Sequence, residues 1–296
     1  MPAARSPETI ATLLVSCDDC PGLVAALSQA LYNQGANILH ADQYTDSGAG
    51  KFFQRIRFDD PELAGTDRSA AESRLEATVR AVGARYGMKW RLHFEKNPKR
   101  MAIFVSKTEH CLYDLLLRHR SGELRCEIPL IVSNHEDLRP VAEQFGLRFE
   151  IFPVSFGNRA EMEKQEIALL EEQEIDLVVL ARYMQILSEG FVQSFEERII
   201  NIHHSFLPAF AGGRPYHQAY ERGVKLIGAT AHYATGDLDE GPIIEQDVAH
   251  VSHRESVSDL VRLGRDVERT VLSRAVRLHL ESRIFVHDNR TVVFAG

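Results

Sequence analysis

The chain has 296 residues, of which 44% are hydrophobic and 26% charged, a balance typical of a soluble globular protein with one large or two ordinary domains. Its formal net charge of −8 argues against non-specific binding to nucleic acid or to an anionic membrane surface, because both need a basic face. The sequence contains no apolar run near the roughly 18 residues of a membrane span, and its N-terminus lacks the pattern of a signal peptide. We therefore expect a cytoplasmic protein.

The cysteines give little sign of a metal or redox site. They are Cys17, Cys20, Cys111 and Cys126. The spacing of Cys17 and Cys20 leaves a redox pair open, but no second ligand pair follows as a structural zinc site would need. The simpler interpretation is two small side chains in a strand-end loop in a reducing compartment. The sequence shows no Cys/His ligand set, so we expect no metal and no cofactor.

The first 95 residues are predicted to form a compact βαββαβ unit. The expected strands cover residues 9–17, 37–45, 51–59 and 88–95, and the expected helices cover residues 21–34 and 68–86. In the last strand strict alternation places four apolar side chains on one face, namely Met88, Trp90, Leu92 and Phe94. That alternation is typical of a half-buried strand in an antiparallel sheet.

A polar segment with a proline, residues 96–100, is predicted to be a linker. After it come short apolar strands separated by helical segments, which is typical of a parallel sheet covered on both faces. These strands cover residues 101–106, 128–133, 149–154, 176–180 and 199–203. Two further strands (225–233 and 241–251), a long helix (257–281) and a terminal hairpin (283–287 with 290–294) follow. The predicted domains are thus residues 1–95 and 101–296.

Two polar side chains lie together on one of these strands. Since strand residues alternate, Asn201 and His203 share one face at the carboxyl end of a central parallel strand, where open α/β sheets place their sites. An amide and an imidazole can both point at an oxygen that becomes anionic in acyl transfer. His203 and His204 are expected to face opposite ways, so that they do not share a metal ion. The alternative is that the two side chains only form hydrogen bonds with the backbone of a loop at the end of the strand.

Three carboxylates cluster in a loop bounded by glycines, namely Asp237, Asp239 and Glu240. One of them could orient a histidine or accept a proton from water. Aspartate and glycine are also ordinary turn residues, so this loop alone indicates little.

Together the two segments resemble the catalytic core of the formyltransferases that use formyltetrahydrofolate, over about residues 100–296. The matching strings are Asn201-Ile-His-His-Ser-Phe-Leu-Pro-Ala-Phe210 and Leu238-Asp-Glu-Gly-Pro-Ile-Ile244. Two further strings, residues 214–223 and 228–233, are similar to the deformylase branch of that family. The resemblance implies a Rossmann-like α/β domain with a mostly parallel sheet, the formyltransferase fold.

The first unit resembles an ACT domain, a small ferredoxin-like regulatory module that often binds amino acids. The resemblance rests on the βαββαβ order and on the strings Asp19-Cys-Pro-Gly-Leu23 and Gly35-Ala-Asn-Ile38. It implies an amino-acid effector near Asp19, Gly22 and Asn37, and a homo-oligomer, since such domains pair edge to edge. Deformylases of this family carry an ACT domain ahead of the hydrolase domain.

The loop after the first strand of the second domain favours hydrolysis over transfer. In glycinamide ribonucleotide transformylases a glycine-rich loop at this place cradles the substrate phosphate, whereas residues 105–112 contain no glycine here. Glu109 would also repel a phosphate, and His204 stands where the transferases usually have proline. A formyltransferase to an amine acceptor such as glycinamide ribonucleotide, and an amino-acid sensor with an inactive hydrolase domain, remain as alternatives.

The resemblance implies hydrolysis of 10-formyltetrahydrofolate to tetrahydrofolate and formate, which would feed purine synthesis or recycle the folate. Asn201 and His203 would stabilise the tetrahedral oxyanion. Asp239 would position the attacking water and accept its proton. The folate would bind along the segment after residues 176–180 and near the catalytic strand, at Tyr183, Met184, Gln185, Ile186, Leu187 and Ser205.

Overall fold

The structure, a computed structural model, describes residues 6–155, 157–208 and 215–295. Three residues of the quoted motifs, Ala209, Phe210 and Arg214, lie outside the described residues, as do the first five of the N-terminal segment. The chain divides into two compact units, one made of Met1–Pro98 with Val292–Gly296 and the other of Lys99–Thr291. No helix in the described part of the chain is both long and apolar enough to span a membrane.

The first unit has the predicted βαββαβ order. Its elements are β1 (Ile10–Asp18), α1 (Leu23–Asn33), β2 (Asn37–Asp46), β3 (Lys51–Asp59), α2 (Arg68–Tyr86) and β4 (Lys89–Phe94). The strands form an antiparallel sheet in the order β2-β3-β1-β4. Helix α2 begins at the cap Asp67 and ends at Gly87, whose φ of 63° is left-handed. The predicted apolar stripe from Met88 to Phe94 packs against the core of this unit, as expected.

The residues proposed for an effector are accessible in this unit. Asp19, Gly22 and Asn37 are all exposed, and Gly22 has a left-handed φ of 95° just before α1. Their role in binding stays a prediction. Cys17 is buried and Cys20 exposed, and neither forms a disulfide.

The second unit is a seven-stranded sheet in the order β11-β10-β9-β8-β5-β6-β7. Its strands are β5 (Met101–Val105), β6 (Leu130–Ser133), β7 (Arg148–Ile151), β8 (Leu177–Leu180), β9 (Ile199–His203), β10 (Leu226–Tyr233) and β11 (Ile243–His250). Its helices are α3 (His110–Arg120), α4 (Arg139–Gln144), α5 (Arg159–Glu172), α6 (Glu189–Ser194), α7 (Pro215–Glu221) and α8 (Val257–Leu280). A separate two-stranded sheet pairs β12 (Ile284–His287) with β13 (Arg290–Val293).

The strand pattern explains why this sheet is mostly parallel. Every residue of β5, β6 and β8 is buried, as in a sheet covered on both faces. The five strands from β9 to β7 pair in parallel, while β10 and β11 are antiparallel. Strand β9 therefore lies where parallel pairing ends rather than in the centre of the parallel region. This corrects the sequence-based expectation and gives β9 an antiparallel neighbour, β10.

Helix α8 closes the side of the sheet that holds β9, β10 and β11. It begins with a capping box between Ser256 and Asp259, which satisfies backbone groups at both residues. Its buried face includes Gly264 and Glu268, one helical turn apart. A buried glutamate on a core-facing helix needs partners, because an unpaired buried charge is strongly destabilising.

Candidate active site

The structure brings the three predicted catalytic residues together. Asn201 and His203 share one face of β9, and Asp239 lies in the loop between β10 and β11. Asp239 Oδ2 lies 3.1 Å from Nδ1 of His203, and Asp239 Oδ1 accepts a hydrogen bond of 3.4 Å from Nδ2 of Asn201. One carboxylate thus touches both of the other residues, with one oxygen for each.

A fourth residue, His232, completes this group and was not assigned a role from the sequence. It is the cross-strand neighbour of Asn201, since β10 pairs antiparallel with β9, and directly opposed strand residues share a face. Its Nε2 lies 3.2 Å from Asn201 Nδ2 and 3.6 Å from Asp239 Oδ1. Alternation along β10 could have suggested an inward histidine, but the register that aligns it with Asn201 cannot be read from the sequence. The group Asn201, His203, His232 and Asp239 is called the Asp239 cluster below.

The electrostatics of the Asp239 cluster favour a charged carboxylate. Burial acts to raise the pKa of Asp239, but hydrogen bonds from His203 and His232 and their positive charge outweigh it, so the pKa falls well below its usual range. Because the carboxylate binds Nδ1 of His203, that nitrogen carries a proton. Nε2 of His203 is buried and has no hydrogen-bond partner among the described residues. That nitrogen is therefore free to exchange a proton with a substrate.

The backbone of the loop around Asp239 is specialised. Asp239 has a left-handed φ of 59°, a conformation that aspartate tolerates better than most residues. Two residues later, a Cβ on Gly241 would lie 1.8 Å from the carbonyl oxygen of Tyr233. Only glycine permits that close approach. The turn that presents Asp239 thus depends on Gly241.

A cavity of about 640 Å³ opens beside the Asp239 cluster. Its wall includes the predicted folate segment Tyr183–Leu187. Leu238 lines the cavity as well. The apolar side chains of Met184, Ile186 and Leu238 are 61%, 55% and 60% exposed. Apolar side chains that converge exposed on one concave surface are typical of a ligand site.

Two of the predicted folate-binding residues, Tyr183 and Ser205, are buried. Tyr183 lines the cavity but is buried, and its ring packs edge-on against Phe104 with the centroids 5.3 Å apart. Ser205 does not line the cavity. It is buried, and its carbonyl accepts a hydrogen bond from Thr230 Oγ1. The contact of Ser205 with folate stays a prediction.

Residues outside the predicted set hold the folate segment in place. The hydroxyl of Ser106 donates to Asn134 Oδ1 (2.7 Å) and accepts from the backbone N–H of Met184 (2.9 Å). Glu163 Oε1 accepts from the backbone N–H of Ser188, also at 2.9 Å. The glycine-free loop after β5 thus supports the folate segment through Ser106, a role that the sequence pattern does not reveal.

A buried acid lies beneath the same segment. The Tyr183 hydroxyl donates to Glu166 Oε1 at 3.3 Å, and Glu166 is only 1% exposed. Burial raises the pKa of Glu166 from 4.5 to about 7, against the opposing effect of that hydrogen bond. The charge beneath the folate segment therefore changes near neutral pH, as Glu166 loses its proton.

A second charged group lies on the same cavity wall. Glu268 receives a hydrogen bond from Tyr216 Oη (2.7 Å), lies 2.9 Å from His110 Nε2, and forms an ion pair with Arg182 at 3.5 Å. Burial acts to raise the pKa of Glu268, but His110, Arg182 and Tyr216 together lower it. We call His110, Arg182, Tyr216 and Glu268 the Glu268 cluster.

One group of side chains in the described ranges could in principle meet a metal ion. The ligand atoms of His110, Cys111 and Glu268 lie within 4.8 Å of one another. The guanidinium of Arg182 already neutralises Glu268, however, and burial holds the pKa of the Cys111 thiol well above its usual value. Since metal ligation needs a thiolate and uncompensated negative charge, these residues fit an ion-pair cluster better than a cation site.

His204 does not face away from His203. Strand β9 ends at His203, so alternation no longer holds, and the two rings lie 5.1 Å apart and both line the cavity. Burial, aided by the positive charge of Arg182, lowers the pKa of His204 to about 4. His204 is therefore neutral near pH 7 and adds no charge beside His203.

The fold and the site define a class of folate-dependent formyl-group enzymes. The family model for formyl transferase matches residues 99–276, and that for the ACT domain matches residues 11–78. A glycinamide ribonucleotide transformylase from Symbiobacterium toebii shares the second unit, with a TM-score of 0.64 and 29% identity over 67% of this chain and 95% of that one.

Relatives that match over nearly the whole chain identify one family within this class. Formyltetrahydrofolate deformylases from Synechocystis sp. and Bacillus subtilis are 57% and 51% identical, over 96% and 95% of this chain and 98% and 93% of theirs. The crystal structure of a formyltetrahydrofolate deformylase from Pseudomonas syringae pv. tomato matches with a TM-score of 0.91 and 42% identity, over 97% of this chain and 94% of that one. The chain belongs to the formyltetrahydrofolate deformylase family. The predicted fold, an ACT domain followed by a formyltransferase domain, is confirmed.

Gly241→Ala tests whether the close approach of Gly241 holds Asp239 in place. The new methyl group would displace the loop from Tyr233, so we expect turnover to fall about 100-fold, the order that a 1 Å misplacement of reacting groups produces. Gly236→Ala in the same loop is the control, because its added Cβ meets nothing nearer than 3.8 Å. Equal turnover in the two variants would contradict this role for Gly241.

Glu166→Gln tests the buried acid. A carboxyl whose folded pKa is raised contributes stability that is fully present below its unfolded pKa and is lost as the pH rises through its folded pKa. The wild type should therefore lose up to about 3 kcal/mol of unfolding free energy between pH 4.5 and 7 from this group, and the variant should not. Urea denaturation at pH 5 and 8 measures the difference. Glu171→Gln, on the exposed face of the same helix, should behave as the wild type does.

Proposed function

We propose that this chain hydrolyses 10-formyltetrahydrofolate to tetrahydrofolate and formate. The observation that carries the proposal is the position of the Asp239 carboxylate, which touches both an amide and a histidine on the wall of a cavity with exposed apolar side chains. That arrangement combines an oxyanion site, a proton carrier and an apolar surface for a heterocycle. Membership of the deformylase family supports it.

The pterin would bind along the folate segment. Exposed Met184 and Ile186 offer an apolar wall, and the backbone of Met184–Leu187 would hold the polar edge of the ring. Ser106 and Glu163 fix that backbone through hydrogen bonds to Met184 N–H and Ser188 N–H. A pre-formed segment loses less conformational entropy on binding, so these contacts favour affinity.

Hydrolysis of the formamide needs oxyanion stabilisation and a proton for the leaving nitrogen. As the formyl oxygen becomes negative, it would take a hydrogen bond from Asn201 Nδ2, replacing one of that amide's present contacts. His203, which Asp239 contacts through Nδ1, would act as an imidazolium that stabilises the oxyanion and gives its Nε2 proton to the leaving nitrogen. His232 would keep the Asn201 amide in its orientation. This chemistry uses no metal or cofactor.

Asp239 would orient the attacking water and accept its proton as the new C–O bond forms. The tetrahedral intermediate then collapses with cleavage of the C–N bond, and formic acid and tetrahydrofolate leave. Since its pKa is depressed, Asp239 is a weak base that readily releases this proton. Return of the proton to His203 restores the starting charges. The main contribution of Asp239 is therefore electrostatic.

Water, rather than an amine, is supported as the acceptor by the loop after β5. Its serine hydroxyl, Ser106, is already engaged by Asn134 and Met184, and it has no glycine to wrap a phosphate. The glycinamide ribonucleotide transformylases are more distant relatives, at 25–29% identity over 62–67% of this chain.

Asp239→Asn is expected to lose hydrolysis while folate binding is kept. Asparagine keeps the shape but offers His203 no negative charge and cannot accept the proton from water, so turnover should fall about 100-fold or more. Titration with a non-hydrolysable folate should give a Kd close to that of the wild type. Asp237→Asn, the same change at an exposed site two residues away, is the control. Near-normal turnover in Asp239→Asn would refute the assigned role.

Formate release from 10-formyltetrahydrofolate without an added amine separates the three functional alternatives. A deformylase releases one formate per folate over many turnovers, whereas a transferase releases almost none and an inactive sensor releases none. We expect steady release that Asn201→Ala lowers by about 100- to 1000-fold. Absence of release by the wild type would exclude the proposed function.

The remaining proposals concern the setting of the enzyme. We place it in a reducing, cytoplasmic compartment, which its four unpaired cysteines support, and we propose that its formate feeds purine synthesis. An amino acid would act through the ACT domain near Asp19, Gly22 and Asn37, and that domain would pair with a second copy. Formate release with and without glycine and methionine tests the effector.

A further inference from the structure

The cavity does not end at the catalytic residues. The four residues of the Glu268 cluster line the same cavity as Asn201 and His203. A line of rings connects the two groups, since His204 lies 5.1 Å from His203 and 6.2 Å from Tyr216, measured between centroids. The Glu268 cluster thus lies beside the place where the formyl group would react, and the mechanism above makes no use of it.

The Glu268 cluster is tightly built. Glu268 is 1% exposed and in contact with three side chains. Tyr216 reaches it by crossing α8 at Gly264, where an added Cβ would lie 2.1 Å from the Tyr216 hydroxyl oxygen. Since Gly264 and Glu268 are one turn apart, the absent side chain at 264 makes room for the tyrosine ring. The side chains of the Glu268 cluster are therefore in close contact with one another along this part of the cavity wall.

Arg182 is the most unusual member. Its φ is 65°, a left-handed conformation that costs a non-glycine residue about 1–2 kcal/mol. Its Nε is buried, has no hydrogen bond to any residue that the structure describes, and faces Glu268 Oε2 at 3.5 Å. Glycine would adopt this backbone without strain. The contacts of the arginine side chain must therefore offset the cost of its left-handed backbone.

We propose that the Glu268 cluster excludes amine acceptors, its side chains occupying the part of the cavity beside His203 and His204 that a second substrate would need. This inference rests on the proposed hydrolytic function. A transformylase that acts on glycinamide ribonucleotide must admit an amine with a ribose phosphate next to the folate. Here Arg182 and Tyr216, held by the buried Glu268 carboxylate, take up the space that this substrate would need, so that water remains as the nucleophile.

The two reactions differ only in the attacking atom. In hydrolysis the water oxygen bonds to the formyl carbon, the carbon–nitrogen bond to the folate breaks, Asp239 takes the proton that water loses, and the folate nitrogen gains one from His203. In transfer an amine nitrogen bonds to the same carbon and loses its proton instead. The Asp239 cluster serves either reaction, and access for the nucleophile selects between them.

Arg182→Gly removes the arginine side chain from the cavity wall, and glycine suits the left-handed backbone at this position. The matched control is Glu174→Gly, which replaces an exposed residue at a φ of 50°. Each protein is given formyl-labelled 10-formyltetrahydrofolate and increasing glycinamide, and both formate and formylglycinamide are measured. The wild type and the control should give formate, while Arg182→Gly should raise the ratio of formylglycinamide to formate roughly tenfold or more, as expected when one steric barrier is removed.

The outcomes separate the two proposals. If Arg182→Gly hydrolyses the folate but forms no more formylglycinamide than the wild type, exclusion by this cluster is wrong while the hydrolase function stands. If the wild type releases no formate without an amine, the proposed function itself fails.

A binding measurement covers the case in which Arg182→Gly loses turnover. Calorimetry with glycinamide ribonucleotide, on protein holding a non-hydrolysable folate, compares the wild type with the Arg182→Gly/Glu268→Gln double variant. The double variant should bind at least roughly tenfold more tightly, since it lacks the blocking side chain while the net charge of the cluster stays the same. Equal binding, or none by either protein, would overturn the proposal.

Discussion

The carboxylate of Asp239 lies between three donors that come from two different strands, Asn201 and His203 on β9 and His232 on β10. It can do so only because β9 changes from parallel pairing on one side to antiparallel pairing on the other, which sets His232 against Asn201. The left-handed backbone of Asp239 and the close approach at Gly241 bring the carboxylate to them. Orientation and charge in the site both depend on this one side chain.

The cavity contains two ionised carboxylates that are held in different ways. Asp239 is surrounded by groups that can exchange protons with a substrate, and Nε2 of His203 has no hydrogen-bond partner in the part of the chain that the structure describes. Glu268 is instead held by an arginine, a histidine and a tyrosine that satisfy it. Removing one partner of a buried charge is strongly destabilising, which makes the Glu268 cluster a rigid wall. A reactive group beside a rigid wall suits an enzyme whose small nucleophile, water, must arrive without competitors.

Much of the fold could be predicted from local pattern. Alternation predicted the buried face of β4, and continuous apolar runs predicted the strands of the parallel sheet. Literal motif matches identified Asn201, His203 and Asp239 as candidate catalytic residues. The missing parts depend on contacts between distant segments. The β9–β10 register that places His232, the Arg182–Glu268 ion pair and the Ser106 hydrogen bond to Met184 leave no periodic signal. The orientation of His204 was predicted wrongly because this residue follows the end of β9, where strand alternation no longer applies.

The central claim is that a formyl oxygen binds between Asn201 and His203 under the control of Asp239. A crystal structure with a non-hydrolysable 10-formyl analogue of the folate tests it directly. The account predicts the analogue's carbonyl oxygen within about 3 Å of both Asn201 Nδ2 and His203 Nε2, the usual range for such hydrogen bonds. The pterin should lie along Met184–Leu187. A carbonyl oxygen that contacts neither side chain, or a pterin bound elsewhere, would contradict the account.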